Sequence, residues 1–244
     1  MLGGRLVLRQ PLRGHRFGHD AILLAASTAA KAGEHAVDFG AGVGAAGLAL
    51  ASRVPGLAVT LGEIDPALAA LAGENIGRNG FADRVRAVPL DVTAGARAFA
   101  AAALPPGSAA HVLMNPPFND PAMSRDSPDA GRRRAHVSAG IAPWLRSAHR
   151  LLGAGGTVTL IWRADGLAHV LAALAPAFGA VAVQPVHPQL DAAAIRVLVR
   201  AVKGSRAPLA LLPGLVLAGV DGRPTAEAEA VLRHGAALPL AVCE

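Results

Sequence analysis

At 244 residues the chain has room for one α/β domain, or one domain with a short appendage, and can bury a core without disulfide or metal staples. Hydrophobic residues make up 52% and charged residues 16%, which excludes a disordered chain; aromatics at 3%, with no Tyr, argue against a surface that stacks many bases in series. The formal charge is +6, and only Lys31 and Lys203 are lysines; Arg suits two-point phosphate contacts, although an Arg- and Ala-rich composition gives the same balance with no partner.

The single cysteine, Cys243, excludes an intramolecular disulfide and a Cys-rich zinc site. Arg5 and Arg9 interrupt any signal-peptide core near the start. The apolar run 207–220 holds Pro208 and Pro213 and is shorter than the ~18 residues of a membrane span. A cytoplasmic protein is expected.

The chain then alternates helix and strand. Residues 20–32 read as a helix with Asp20 as a possible N-cap, and 35–39 as a strand running into a Gly-rich turn. A helix over 45–53, a strand over 57–64 and a helix over 66–79 with Pro66 in its first position follow. Next come a strand at 84–89, a helix at 94–103 and a strand at 110–114. Residues 115–137 keep no hydrophobic period and read as a long loop, a length usually tied to function or disorder. A helix at 140–152, a strand at 156–162, a helix at 165–177 and strands at 180–186 and 195–202 complete the pattern. The alternation predicts an α/β fold with seven strands in a mostly parallel sheet and helices on both faces. The short connection 187–194 predicts a hairpin, hence one antiparallel strand. Residues 1–203 form the domain; 204–244 form an appendage packed on it, with an apolar stretch at 214–220 and a short helix at 225–234.

The turn after the first strand reads Asp38, Phe39, Gly40, Ala41, Gly42, Val43, Gly44. Glycines permit close backbone approach to a ligand, and a helix N-terminus offers unpaired N–H groups. Gly40, Gly42 and Gly47 come near the dinucleotide-binding spacing, but Gly47 falls too late. Glu63 closes the next strand, where a carboxylate can accept from ribose hydroxyls. Asp65 is a second candidate, or simply the cap of the helix opened by Pro66.

After the fourth strand stand Asn115, Pro116, Pro117 and Phe118. The prolines stiffen the corner and remove two N–H donors, while Asn115 adds a carbonyl acceptor. Two acceptors beside an aromatic face suit a planar group carrying –NH₂.

The Asp-x-Gly-x-Gly-x-Gly spacing resembles motif I of class I S-adenosylmethionine-dependent methyltransferases, with a Rossmann-like fold. The resemblance implies that Asp38, Gly40, Gly42 and Gly44 hold the methionine end of S-adenosylmethionine, Glu63 the ribose, and that Asp91 lies beside the adenine. The Asn-Pro-Pro-Phe run resembles motif IV of methyltransferases that alkylate amino or amide nitrogens; Asn115 then serves both donor and acceptor, with Pro116, Pro117 and Phe118 completing the catalytic corner. Neither a metal nor a covalent nucleophile is required. The segment Arg16–Leu24 resembles one that covers the cofactor in RNA nitrogen methyltransferases, with Gly18 and Asp20 facing the amino-acid moiety. Together with the tail around Lys203 and Arg206, nearly the whole chain resembles bacterial tRNA(Val) adenine-N6 methyltransferases, which modify the adenine beside the anticodon. The expected partner is tRNA. Arg132, Arg133, Arg134, Lys203 and Arg206 are the expected phosphate contacts, on two sides of the pocket mouth; a merely solvated loop is the alternative for the three consecutive arginines. Guanine N2 of RNA, or a protein glutamine, is the alternative target; the glutamine enzymes usually carry Tyr where this chain has Phe118. A non-catalytic RNA-binding domain is a third reading, disfavoured by the intact Asn-Pro-Pro-Phe run.

Overall fold

Strands buried on both faces place their two sets of side chains in two different cores. In the computed structural model, which describes residues 1–11, 18–117 and 140–242, the first strand, β1 (His35–Phe39), shows this directly. Ala36 belongs to one apolar cluster, and Val37 and Phe39 to the other. β2 (Ala58–Glu63), β3 (Val85–Pro89), β4 (Ala109–Met114) and β5 (Leu152–Arg163) run parallel to β1 in the order β3-β2-β1-β4-β5. β6 (Phe178–Gln189) and β7 (Arg196–Lys203) form the expected hairpin. β7 inserts between β5 and β6, antiparallel to both.

The sheet has nine strands rather than seven. The two extra ones, β8 (Ala210–Leu211) and β9 (Leu215–Ala218), come from the appendage and pair in parallel with β6. They are too short, and too broken by Pro213 and Gly214, to carry a period-2 signal.

Helices cover both faces. α1 (His19–Ser27), α2 (Ala45–Arg53) and α3 (Pro66–Arg78) cover the face built on Leu61, Leu113, Ile161 and Leu198. α4 (Ala96–Ala101), α5 (Ala142–Leu151) and α6 (Leu167–Leu174) cover the face built on Phe39, Met114, Val158 and Leu160. α7 (Ala226–His234), capped by Thr225, packs on α1, and the Leu238 N–H donates to the Ala26 carbonyl at 2.9 Å. Among the described residues no helix is long and apolar enough to cross a membrane.

α1 departs from its expected span at both ends. Gly18 is its N-cap, Asp20 lies in the first turn without capping it, and the helix stops at Ser27 instead of running to 32. Ser27 Oγ and Thr28 Oγ1 donate back to the Leu23 and Leu24 carbonyls at 2.8 and 2.9 Å, meeting the last-turn acceptors as the backbone turns extended.

Candidate active site

The register sets the site. Phe39, Gly62, Val88 and Met114 stand level on four adjacent strands. The next residues up, Gly40, Glu63 and Asn115, therefore share one row at the carboxyl edge. Strands lie about 4.8 Å apart, so the row from β2 to β4 spans roughly 10 Å. Asp91 follows β3 just beyond this edge. In open α/β sheets this edge is where ligands bind.

The Gly-rich turn is built by the groups around it. The Gly40 and Ala41 N–H groups donate to the Gly62 carbonyl at 2.9 and 3.1 Å. Gly40 sits at φ 66°, and a Cβ there would lie 2.7 Å from Trp144 Cη2. Gly42 sits at φ 55° with open space on its Cβ side, the free backbone surface a ligand needs. Gly44 caps α2, with Leu61 Cδ1 pressed close. Gly47 takes the role of the third glycine in spite of its late position: a Cβ there would be 2.2 Å from Leu61 Cδ2, so helix and strand meet only without one. Beneath the turn, the buried Asn75 donates to the Val43 carbonyl at 3.0 Å and to the Arg9 carbonyl at 2.9 Å.

Of the three expected carboxylates, Asp38 and Glu63 are buried and Asp91 is half-buried. Asp38 Oδ2 accepts from the Gly47 N–H at 2.8 Å, in the first turn of α2. Burial pushes Asp38 up to about 7 from 3.8; the Gly47 hydrogen bond opposes this and the Glu63 charge adds to it. Glu63 spans two chain segments: Oε2 accepts from the Gly42 N–H at 2.7 Å and Oε1 from the Asp65 N–H at 2.9 Å. Asp91 Oδ1 accepts from the Thr93 N–H and hydroxyl at 2.8 and 2.7 Å. Asp65 accepts from Ala67 and Leu68 as the cap of α3.

At the end of β4, Asn115 is half-buried and Pro116 buried. Asn115 Oδ1 is buried without a hydrogen-bond partner among the described residues. Leaving such an acceptor unpaired costs about 1–3 kcal/mol, a cost that an incoming N–H donor offsets.

Gly18 is exposed at the start of α1, and Asp20 reaches Arg196 Nε on β7 at 2.9 Å. Lys203 and Arg206 do not flank the pocket mouth. β7 runs antiparallel, so Arg196 is level with Arg163 at the carboxyl edge, while Val202 is level with Thr157 at the opposite end. Seven residues of strand put Lys203 roughly 23 Å from Arg196. Its amine donates to the Leu152 carbonyl at 2.6 Å, and Arg206 is exposed nearby. Phe118, Arg132, Arg133 and Arg134 lie outside the described residues, as do Arg16 and Phe17. Sequence reasoning missed Trp144, Asn75 and Arg196. Asn75 carried only the weak signal of an amide inside a helix, and Trp144 and Arg196 become visible through strand order alone.

A βα Gly-rich turn, an acid ending the next strand and an acceptor after the fourth define a Rossmann-like methyltransferase. The chain matches the family model "Methyltransferase small domain" over residues 17–186 and belongs to that family. A predicted O-methyltransferase from Agrobacterium tumefaciens is 32% identical, with a TM-score of 0.77, over 90% of this chain and 98% of its own. TrmN from Thermus thermophilus superposes with a TM-score of 0.54 at 22% identity, over 75% of this chain and 47% of its own. The tRNA methyltransferase TrmI from Aquifex aeolicus gives 0.55 at 18%, over 80% and 72%. No curated protein matches. The chain is an S-adenosylmethionine-dependent methyltransferase.

Proposed function

We propose that the enzyme transfers the methyl group to an exocyclic amino nitrogen, the N6 of an adenine in tRNA beside the anticodon of tRNA(Val). The observation that carries the nitrogen reading is the buried Asn115 Oδ1, unpartnered among the described residues and one strand away from Gly40. The open face of Gly42 and the two buried carboxylates fit S-adenosylmethionine, which supplies an electrophilic methyl when bound.

In this reading Gly40, Gly42 and Gly44 let the backbone approach the cofactor, and Asp38 faces its cationic methionine end, with Gly18 and Asp20 closing over it. Glu63 takes the ribose hydroxyls; each of its oxygens holds one backbone N–H and keeps acceptor capacity for another. Asp91 lies by the adenine.

An exocyclic amine is a poor nucleophile because its lone pair is delocalised into the ring. Asn115 Oδ1 and the Pro116 carbonyl accept hydrogen bonds from its two N–H groups and favour a pyramidal nitrogen with a localised pair. Pro117 holds the corner, and Phe118 offers an aromatic face. The proton leaves after N–C bond formation, when the nitrogen has become acidic, so catalysis rests on positioning and electrostatics. Support for RNA as the carrier comes from the Arg132–Arg134 run, and from the fold shared with the tRNA methyltransferase TrmI.

The relative from Agrobacterium is described as an O-methyltransferase, and a hydroxyl acceptor could also donate to Asn115 Oδ1. Nucleoside analysis after methyl transfer to total tRNA, with release factor as a parallel substrate, separates the readings. N6-methyladenosine is expected; a 2′-O-methyl nucleoside, N2-methylguanosine or methylated glutamine would replace this assignment.

A further inference from the structure

Trp144 lies in the first turn of α5, directly after the segment that follows the Asn-Pro-Pro corner. Its neighbours Ile141 and Leu145 are buried in the core, but Trp144 is only half-buried. The six-membered edge of its indole lies where a side chain at position 40 would go, with Cη2 and Cζ3 at 2.7 and 3.1 Å from that Cβ position. Gly40 and Asn115 follow paired residues of adjacent strands, Phe39 and Met114. The indole therefore stands where the donor turn and the acceptor-holding corner meet. In a chain with two tryptophans, six phenylalanines and no tyrosine, an aromatic at that junction is a scarce resource.

We infer that Trp144 is the aromatic wall against which the planar, amine-bearing acceptor is held, an acceptor-binding residue in addition to the Asn-Pro-Pro-Phe corner. The inference rests on the proposed nucleobase acceptor. Stacking on an indole tolerates any base and contributes to acceptor binding, whereas Asn115 acts on the amine itself. Loss of the ring should therefore appear in acceptor KM before it appears in cofactor affinity. Phe at 144 keeps a π-face and should rescue; Leu keeps apolar bulk without one.

The test uses the full chain labelled with 5-fluorotryptophan and bound to S-adenosylhomocysteine. Its two ¹⁹F resonances are assigned with Trp144→Phe. A tRNA anticodon-loop oligonucleotide should shift the Trp144 resonance, and the Trp162 resonance much less. In steady-state kinetics Trp144→Leu should raise the RNA KM by about tenfold, the scale of one missing base–aromatic stack, and Trp144→Phe by much less. The cofactor Kd should stay within about twofold in both. Wild-type transfer to the oligonucleotide with a silent Trp144 resonance, or equal KM values for the Leu and Phe variants, overturns the inference and leaves the RNA reading standing. No wild-type transfer to any RNA overturns the RNA reading and this inference with it. The resonance readout holds even if the Leu variant folds poorly.

Discussion

Asp38 is a buried carboxylate whose ionisation is costly, and that cost has a sign. With its pKa raised from 3.8 to about 7, the folded chain holds a proton that the unfolded chain has lost between these values. Stability therefore falls as pH rises from about 4 to 7, and the full penalty, about 4 kcal/mol at 1.36 kcal/mol per unit, is present above pH 7. Asp38→Asn should flatten this slope and unfold at higher denaturant than wild type at pH 8, yet bind S-adenosylmethionine more weakly; chemical denaturation at pH 5 and pH 8, with calorimetry, checks both. An unchanged slope would place the burial cost elsewhere. Glu63→Ala removes the acceptors for Gly42 and Asp65 and, in the proposed cofactor pose, for the ribose, at about 1.5–3 kcal/mol for each charged hydrogen bond. Cofactor affinity should drop at least tenfold by calorimetry, and unchanged affinity would remove Glu63 from the ribose site. Asn115→Ala should lower turnover more than tenfold, or over ~1.4 kcal/mol of barrier, and by more than it lowers cofactor affinity. A smaller loss would end the amine-polarising role.

Among the secondary-structure elements, what was legible depended on how local the signal was. The Gly-rich turn, Glu63 at the end of β2, Asp65 capping α3 and the β6–β7 hairpin all came from contiguous residues, and the structure builds each of them. The end of α1 did not, because Ala-rich sequence favours helix and two hydroxyls bonding back to carbonyls stop it. Nor did the arginines announce their work. Arg53 donates to the Ala25 and Thr28 carbonyls, Arg84 to Ala51 and Leu57, and Arg86 to Ala102 and Ala103. These carbonyls lie in or just past the ends of α1, α2 and α4, or close by in the following loops, where a cation complements the helix dipole. Three of the 23 basic side chains thus close helix ends. Arg53→Met, which strands buried carbonyls of α1, should cost about 1–3 kcal/mol in denaturation without altering the salt dependence of RNA binding.

For the whole molecule, strand direction decides where a partner can sit. β7 runs against its neighbours, so Lys203 and Arg206 lie at the end of the sheet away from Gly40 and Asn115. The Arg132–Arg134 run follows the Asn-Pro-Pro corner within the same connection. Replacing that run with Ala should flatten the slope of log K against log salt by about 0.7–0.9 for each phosphate no longer neutralised, while Lys203→Ala with Arg206→Ala should leave it unchanged. The reverse pattern would move the RNA face to the far end of the sheet. The central claim is that a nitrogen-directed corner at the end of β4 acts on adenine. Its most direct test is mass spectrometry of nucleosides from tRNA incubated with the enzyme and isotopically labelled S-adenosylmethionine, wild type against Asn115→Ala. Labelled N6-methyladenosine is expected from the wild type and almost none from the variant; label on a ribose oxygen, on guanine or in protein alone would contradict adenine as the target.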